Sequence, residues 1–503
     1  MRNTILFILA FFVLVNYACG QQSDSTKVYK KKVLENAEVD LLMSLYNQDG
    51  VHSPVNGGIG TEKLVDGTPT ITISIPLSDD DVLTVDAGIS AYTSASSSNS
   101  NPFRSTPVYL KGASLTNTVT TLTGASRGGG GTVVVPTPNQ TVVGYVPIGT
   151  PWLASTGASH ADKNKTVHAD ISHSSDSRNF IIGSNASYSK EYDYTSYGFG
   201  GNLTGLFNEK NTEIGLKGSV YLDTWKPLYP TELREYMDYG AATFQTKGYF
   251  NGVKILNQTG AVTTAYLPSA FKPWDSKGRN SYTLSFFASQ ILSQKLQVAL
   301  FFDLVMQEGM LSTPYQRMYF ADKPNYYIGS ASDISIYTSP LNEHVYQLAD
   351  DIERLPTSRY KLPIGVRMNY YINEMFVLRS YYRYYIDNWG LKANTVNLDL
   401  PVKLNQSFSV TPSVRWYDQS QADYFGPFET HLSTETYYTS DYDLSKFTSM
   451  QYSMALNYTS INNLFHIGSL GLKNFNIKFS YYDRNDGLKA NIFSFGVKFV
   501  NHY

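Results

Sequence analysis

From about Val39 to the C-terminus, apolar and aromatic residues recur at every second position. No stretch after the first 20 residues is apolar for long enough to cross a bilayer as a helix. A repeat of two belongs to β-strands whose two faces meet different surroundings. The clearest run is Leu296, Val298, Leu300, Phe302, Leu304 and Met306, interleaved with Gln297, Ala299, Phe301, Asp303, Val305 and Gln307. The same alternation sets Phe475, Ile477, Phe479 and Tyr481 against Asn476, Lys478, Ser480 and Tyr482. It also sets Leu378, Tyr382, Tyr384 and Ile386 against Arg379, Arg383 and Asp387. Such strands turn one face away from water: toward a shared core in a soluble sandwich, toward lipid in a membrane barrel.

Sixteen segments carry the pattern, near 38–47, 70–77, 82–92, 165–174, 178–190, 194–207, 211–224, 281–291, 294–307, 361–372, 375–387, 391–404, 406–417, 447–459, 471–483 and 488–500. Many exceed the usual strand length of about five or six residues and suit tilted membrane strands. The gaps discriminate further. In an outer-membrane barrel, connections alternate between short periplasmic turns and longer outer loops. The long gaps, 48–69, 93–164, 225–280, 308–360 and 418–446, all fall on one side of the alternation, and the tight turns at 77–81, 208–210, 292–293 and 372–374 fall on the other. Composition agrees: 14% aromatic against 16% charged is unusual for a soluble chain. With 40 basic residues balanced by 42 acidic ones, a nucleic-acid binder is excluded. The expected fold is therefore all-β, a transmembrane antiparallel β-barrel of about 16 strands with long extracellular loops.

The chain's first segment reads as an address. Arg2, the apolar run Ile5 to Val15 and the small residues before Gln21 form a secretory signal over 1–20, cleaved near Gly20. Cleavage there removes the one cysteine; lipidation of Cys19 is the competing reading. A periplasmic lead, 21–37, then precedes a barrel over 38–503. At the other end Phe493, Phe495, Val497 and Phe499 share a face with the final Tyr503. This ending is similar to the outer-membrane insertion signal read by the barrel-assembly machinery, which becomes an expected partner together with outer-membrane lipid. Tyr46, Tyr92, Tyr188, Tyr282, Tyr384, Trp416 and Tyr458 stand near strand ends, as interfacial aromatics do.

Glu38-Val39-Asp40, Tyr46, Gln48-Asp49-Gly50, His52, Gly57-Gly58-Ile59-Gly60-Thr61-Glu62 and Pro69-Thr70-Ile71-Thr72 together resemble a secreted domain-of-unknown-function family frequent in the Bacteroides group. Ser94 to Asn99, Ser155 to Ser159 and Asp176-Ser177-Arg178-Asn179 match its pattern too, while the run Arg104 to Pro151 departs from it. The resemblance implies an outer-membrane barrel of a Gram-negative bacterium, in some members encoded beside a small lipoprotein, a periplasmic thioredoxin-like redox protein and a flavin-transferring enzyme. No catalytic residues come with it.

Several clusters bear on chemistry. Glu62, Asp66, Asp79, Asp80, Asp81 and Asp86 have no defined calcium-loop spacing and read as a solvated turn with lumen-facing carboxylates. His168 and His173 differ by an odd offset, so they point to opposite faces of a strand and share no metal; His160 and the nearby Asp162, Asp170 and Asp176 complete no ligand set. Gly128 to Gly131 lacks the Lys-Ser or Lys-Thr of a phosphate loop, and no nucleophile elbow occurs. On the lumen face, Arg367, Arg379, Arg383 and Arg415 align as a basic wall, with Glu213, Asp223 and Asp303 further round. Opposed charges across a lumen orient and select solutes; the alternative is that they pair and fill it. The loop 308–360, with Asp350-Asp351-Ile352-Glu353, is placed to fold inward. These features favour a non-enzymatic barrel, with no cofactor or metal, that passes or binds small solutes. A scaffold or assembly barrel for envelope partners and an outer-membrane hydrolase are the alternatives.

Overall fold

In a computed structural model, the residues described are 32–93, 105–111, 114–116, 141–147, 161–243, 254–336, 345–461 and 465–501. Sixteen strands form the wall: β1 (Glu38–Asp49), β2 (Leu64–Pro76), β3 (Asp81–Thr93), β4 (Ala161–Ser174), β5 (Phe180–Lys190), β6 (Tyr194–Phe207), β7 (Thr212–Trp225), β8 (Gly278–Ser293), β9 (Leu296–Gly309), β10 (Ser358–Tyr371), β11 (Val377–Asp387), β12 (Lys392–Asp399), β13 (Phe408–Gln419), β14 (Phe447–Thr459), β15 (Leu470–Arg484) and β16 (Lys489–Asn501). Each pairs antiparallel with its sequence neighbours, and β1 pairs with β16 through Val39↔Phe499, Leu41↔Val497 and Met43↔Phe495, which closes the cylinder. Closure leaves no free edge, so every wall strand satisfies its backbone on both sides, the condition for crossing hydrocarbon.

The register settles which face is which. Large apolar side chains with no cover stand on one parity around the wall: Leu41, Leu45, Ile171, Ile182, Phe199, Leu216, Leu284, Leu300, Leu304, Ile364, Tyr382, Met454, Phe479 and Phe495. Their pairing partners carry that parity from strand to strand, as in Leu284↔Leu304 and Met454↔Phe479. These rows would be intolerable in water as one contiguous surface; in a bilayer they are the solvent-matched face. The opposite parity carries the charged side chains, among them Asp223, Asp303, Arg367 and Arg415, together with polar, small and aromatic ones. Phe495, Val497 and Phe499 of the expected insertion signal lie on the outward face; Tyr503 and the signal segment lie outside the described residues.

Two sequence expectations need correcting here. β2 begins at Leu64 rather than near 70, because Gly67 and Pro69, which read as breakers, sit inside it. Pro69 costs a ladder bond, and the pairing of β2 with β3 indeed skips from Gly67↔Ala91 to Thr70↔Gly88. Tyr46 and Tyr92 are not interfacial: parity turns both into the lumen, since Tyr46 pairs with Asp66 and Asp66 with Tyr92. Tyr188, Tyr282, Tyr384, Trp416 and Tyr458 do face outward.

At the end of the barrel that holds both ends of the wall the connections are short apart from 460–469, which is moderately long, and two of those turns are tied by the Arg178–Asp80 pair at 2.6 Å. The long connections all leave the opposite end. There the chain builds helix α1 (Thr231–Thr243) and a four-stranded sheet of Ile255–Asn257, Val262–Thr263, Tyr326–Gly329 and Val345–Leu348. The largest fully buried side chains among the described residues, including Tyr266, Tyr346, Phe320, Leu233 and Ile255, all belong to this loop assembly. The protein's water-excluding core thus sits at the mouth, not inside the cylinder.

Candidate functional site: a capped lumen with an arginine wall

The cap is organised around an ion pair between loops distant in sequence. Arg317, in the β9–β10 loop, and Glu232, in the β7–β8 loop, are both wholly buried. The Arg317 Nε donates to Glu232 Oε1 at 2.5 Å and Nη2 to Oε2 at 3.0 Å, a bidentate fork. Its Nη1 reaches the Val55 carbonyl and Asn56 Oδ1 at 3.4 Å, in the β1–β2 loop. The Tyr346 ring lies 5.3 Å below the guanidinium, and its hydroxyl donates to Glu232. Burial alone would lower the arginine's pKa, but the Glu232 carboxylate overrides it and raises the value. Three loops therefore share one desolvated charge pair. Leu233, Ile255, Tyr266, Tyr319, Ile328, Leu348 and Ile352 pack round it.

The motif shared with the unknown-function family builds the seat for this pair. Gly57, Gly58 and Gly60 adopt φ of 75°, 89° and 95°, so the β1–β2 loop folds tightly back on itself. A Cβ on Gly57 would stand 2.6 Å from the Tyr319 ring, and one on Gly58 2.8 Å from the Ser440 carbonyl. Glu62, buried, accepts from the His52 amide at 3.1 Å, and Gln48 donates to the Glu62 carbonyl. The His52 ring stacks on Tyr442 at 3.7 Å. Glu62 is thus a structural carboxylate of the cap, not part of a solvated turn.

The β13–β14 loop completes the closure. Arg354 pairs with Asp351 at 2.9 Å, and Tyr438 donates to the same carboxylate at 2.5 Å. Glu353, 2% exposed, accepts from Thr439 Oγ1 at 2.5 Å and the Thr313 amide at 2.6 Å. Burial, with the charge of Asp441 added, pushes the Glu353 carboxyl up to about 8. Burial and the facing Asp443 raise Asp441 to about 7. Asp350 rises to about 7 through burial and the nearby Glu429 and Asp351. The run Asp350-Asp351-Ile352-Glu353 is therefore a buried part of the cap. Tyr327 and Tyr438 are buried as well and help to hold the loops together.

At the rim, the lumen-facing arginines are neutralised. Arg359 clasps Asp387 at 2.5 Å and lies 4.2 Å over the Trp389 ring. Arg484 pairs with Asp443 at 2.6 Å and Asp486 at 2.5 Å. Asp223, expected as an open lumen acid, is instead 6% exposed and paired with Arg279 at 3.5 Å across β7 and β8. Its position at the crowded strand end explains the difference: a buried carboxylate there needs a partner. At the terminal end, Lys498 bridges Glu38 at 2.8 Å and Asp40 at 3.1 Å. Glu213 and Asp303 face inward on β7 and β9 opposite Ser289 and Ser285, away from the arginines on β10, β11 and β13. His168 is spent on Asp86 at 3.2 Å and His173 on Asp81 at 2.8 Å. Among the described residues no cluster of three metal-ligating side chains occurs.

Between these two zones lies the arginine wall. The register places Arg367, Tyr381, Asn397 and Arg415 in one row across four strands, with Arg379 and Arg383 a step to either side. All four arginines line a single cavity of about 770 Å³, with Asp399 its one acidic wall residue. Arg367 lies beside the stacked Phe301 and Tyr381 rings, 5.3 and 5.4 Å from their centroids. The parity that would have exposed Arg279, Arg359 and Arg484 as lumen residues is the same one that found the wall. What it could not supply is the loop carboxylate each meets.

These features define a transmembrane β-barrel closed at one end by a folded cap over a charged cavity. The chain belongs to the family described as protein of unknown function, DUF3570, whose model matches residues 6–492. No curated protein matches the sequence. Solved structures similar to it include a bacterial polysaccharide outer membrane secretin, at 9% identity over 94% of this chain and 100% of that one, with a TM-score of 0.39. The CymD monoaromatic hydrocarbon channel follows at 7% identity, 94% and 89% coverage and a TM-score of 0.32. The siderophore receptor PirA from Pseudomonas aeruginosa has 9% identity, and the match spans 91% of this chain and 57% of the receptor, with a TM-score of 0.32.

Proposed function

We propose that this protein handles small solutes in the outer membrane of a Gram-negative bacterium, taking them into a charged lumen whose outer mouth the cap controls. The observation that carries the reading is the contrast along the lumen axis. The rim arginines Arg279, Arg359 and Arg484 are locked in ion pairs, while the four arginines of the wall further in line an open cavity. A purely structural barrel has no need of four like charges gathered on one wall of its interior, where they repel one another. Planar-bilayer recording of the purified full-length chain tests it. Discrete conductance steps are expected, and Arg317→Met, which unlocks the cap, should raise the open fraction. Silence from both proteins would sink the reading.

A second reading, an anchor for a partner at the cell surface such as a small surface-exposed lipoprotein, draws support from exposed apolar side chains on the cap: Val262, Leu267, Leu432 and Tyr437. Copurification from crosslinked cells of a partner lost on Leu267→Asp/Leu432→Asp would favour it over passage.

A further inference from the structure

We infer that the middle of the lumen is a binding site for small anions carrying two or more phosphate or carboxylate groups. The inference rests on the solute-handling reading and narrows its substrate class. Among the described residues, no carboxylate comes within ion-pair distance of Arg367, Arg379, Arg383 or Arg415, whereas Arg178, Arg279, Arg317, Arg354, Arg359 and Arg484 all have one. The Arg383 Nε is buried with no hydrogen-bond acceptor. A guanidinium donor left without a protein acceptor on a cavity wall is open to an incoming oxyanion, the acceptor that suits it best.

The count of charges sets the valence. Four guanidinium groups less the Asp399 carboxylate leave an excess of three positive charges on one cavity wall, so a monovalent ion neutralises too little of it. Asn369 and Asn397, in the same lining, add neutral donors and acceptors for hydroxyl or carbonyl groups. The cavity, about 770 Å³, exceeds what inorganic phosphate fills and lies within the range of about 300–1,000 Å³ typical of small-molecule sites. Geometry favours recognition over mere attraction. The rings of Phe301 and Tyr381, stacked at 5.6 Å and 13°, fix the Arg367 guanidinium in place. The strand register fixes the backbone spacing of the other three on a rigid sheet, so their guanidinium groups converge on one cavity.

The test titrates the purified full-length chain in detergent with inorganic pyrophosphate and, separately, citrate, by calorimetry. Binding by at least one is expected, at least tenfold weaker in Arg379→Gln/Arg383→Gln and several-fold tighter in Asp399→Asn. Uncharged sucrose should give no heat. A heat-modifiable gel shift equal to wild type shows that each variant keeps its barrel, and Arg383→Lys should recover part of the affinity. Absence of anion binding in both the wild type and the cap-loosened Arg317→Met overturns the inference, as does binding that the double variant leaves unchanged. Conductance without anion binding would refute the anion site and leave solute handling intact. Anion binding without conductance would uphold the site and refute passage.

Discussion

The wall and the cap are made from similar residues used in opposite senses. In the wall, Leu300, Leu304, Met454 and Phe479 point away from the protein, and charged residues point inward. In the cap, Leu233, Ile255, Tyr266 and Ile328 are buried against one another, and polar groups look out. The wall draws its stability from backbone pairing closed on itself and from lipid. The cap must earn its stability as a water-soluble domain does, from apolar burial and from satisfying every charge it encloses. One chain therefore contains two cores with different solvents, and perturbations should separate them.

The largest separation is expected from Arg317→Met. It strands the Glu232 carboxylate in a fully buried site, a change of the kind that costs about 3–5 kcal/mol. Limited proteolysis should cut the loops 226–277 and 310–357 in this variant while the heat-modifiable shift of the barrel persists. Adding Glu232→Leu should restore protease resistance. If loss of the cap also abolishes the barrel shift, the two regions are one cooperative unit and the comparison fails.

Next come paired substitutions on adjacent positions of β9. Leu304→Arg places a charge on the lipid face near mid-strand, where the cost is about 2–4 kcal/mol. Asp303→Arg places the same charge in the lumen and should cost much less. Urea unfolding in liposomes ranks them; equal costs would mean that the two faces do not differ in solvent. Gly57→Ala should destabilise the cap alone by about 1–2 kcal/mol from its left-handed backbone, with the 2.6 Å approach to Tyr319 adding to that. Hydrogen exchange at 50–63 reads it, and unchanged protection there would remove this loop from the cap.

The smallest effect is a gradual one with pH. Asp350, Glu353 and Asp441 have carboxyls raised in the folded cap to about 7, 8 and 7, above the ordinary unfolded range of about 4. Groups shifted upward stabilise the fold fully below their unfolded pKa, and that contribution is lost as pH rises through the folded values. The cap should thus be tighter at pH 5 than at pH 9, losing stability as pH rises above about 4 and levelling off once it passes about 7 to 8, and Glu353→Gln should flatten the change. A cap that loosens on acidification would have the sign wrong.

The two regions also differ in how far the sequence reveals them. Strand parity, a local property, placed the outward rows and brought Arg367, Arg379, Arg383 and Arg415 to one wall. It failed only where local signals misled: Gly67 and Pro69 hid the start of β2, and Tyr46 and Tyr92 mimicked interfacial residues. The cap has no such periodicity. Arg317 and Glu232 lie in separate loops and meet only because the barrel closes and brings those loops together. Asp223 fell between the regimes, its parity correct but its partner Arg279 unforeseen. The early traces of the cap were the run Asp350-Asp351-Ile352-Glu353, in a loop placed to fold inward, and the cluster Gly57, Gly58 and Gly60, whose glycines mark a loop under tight steric demand.

The most direct test of the wall is a spin-label scan from Val298 to Met306 in liposomes, reading collision with oxygen, which partitions into lipid, against a water-soluble nickel complex. Oxygen should dominate at Val298, Leu300, Phe302, Leu304 and Met306 and nickel at Ala299, Phe301, Asp303 and Val305, a repeat of two. An oxygen-to-nickel ratio that stays flat along the strand, or peaks at Asp303, would contradict the account.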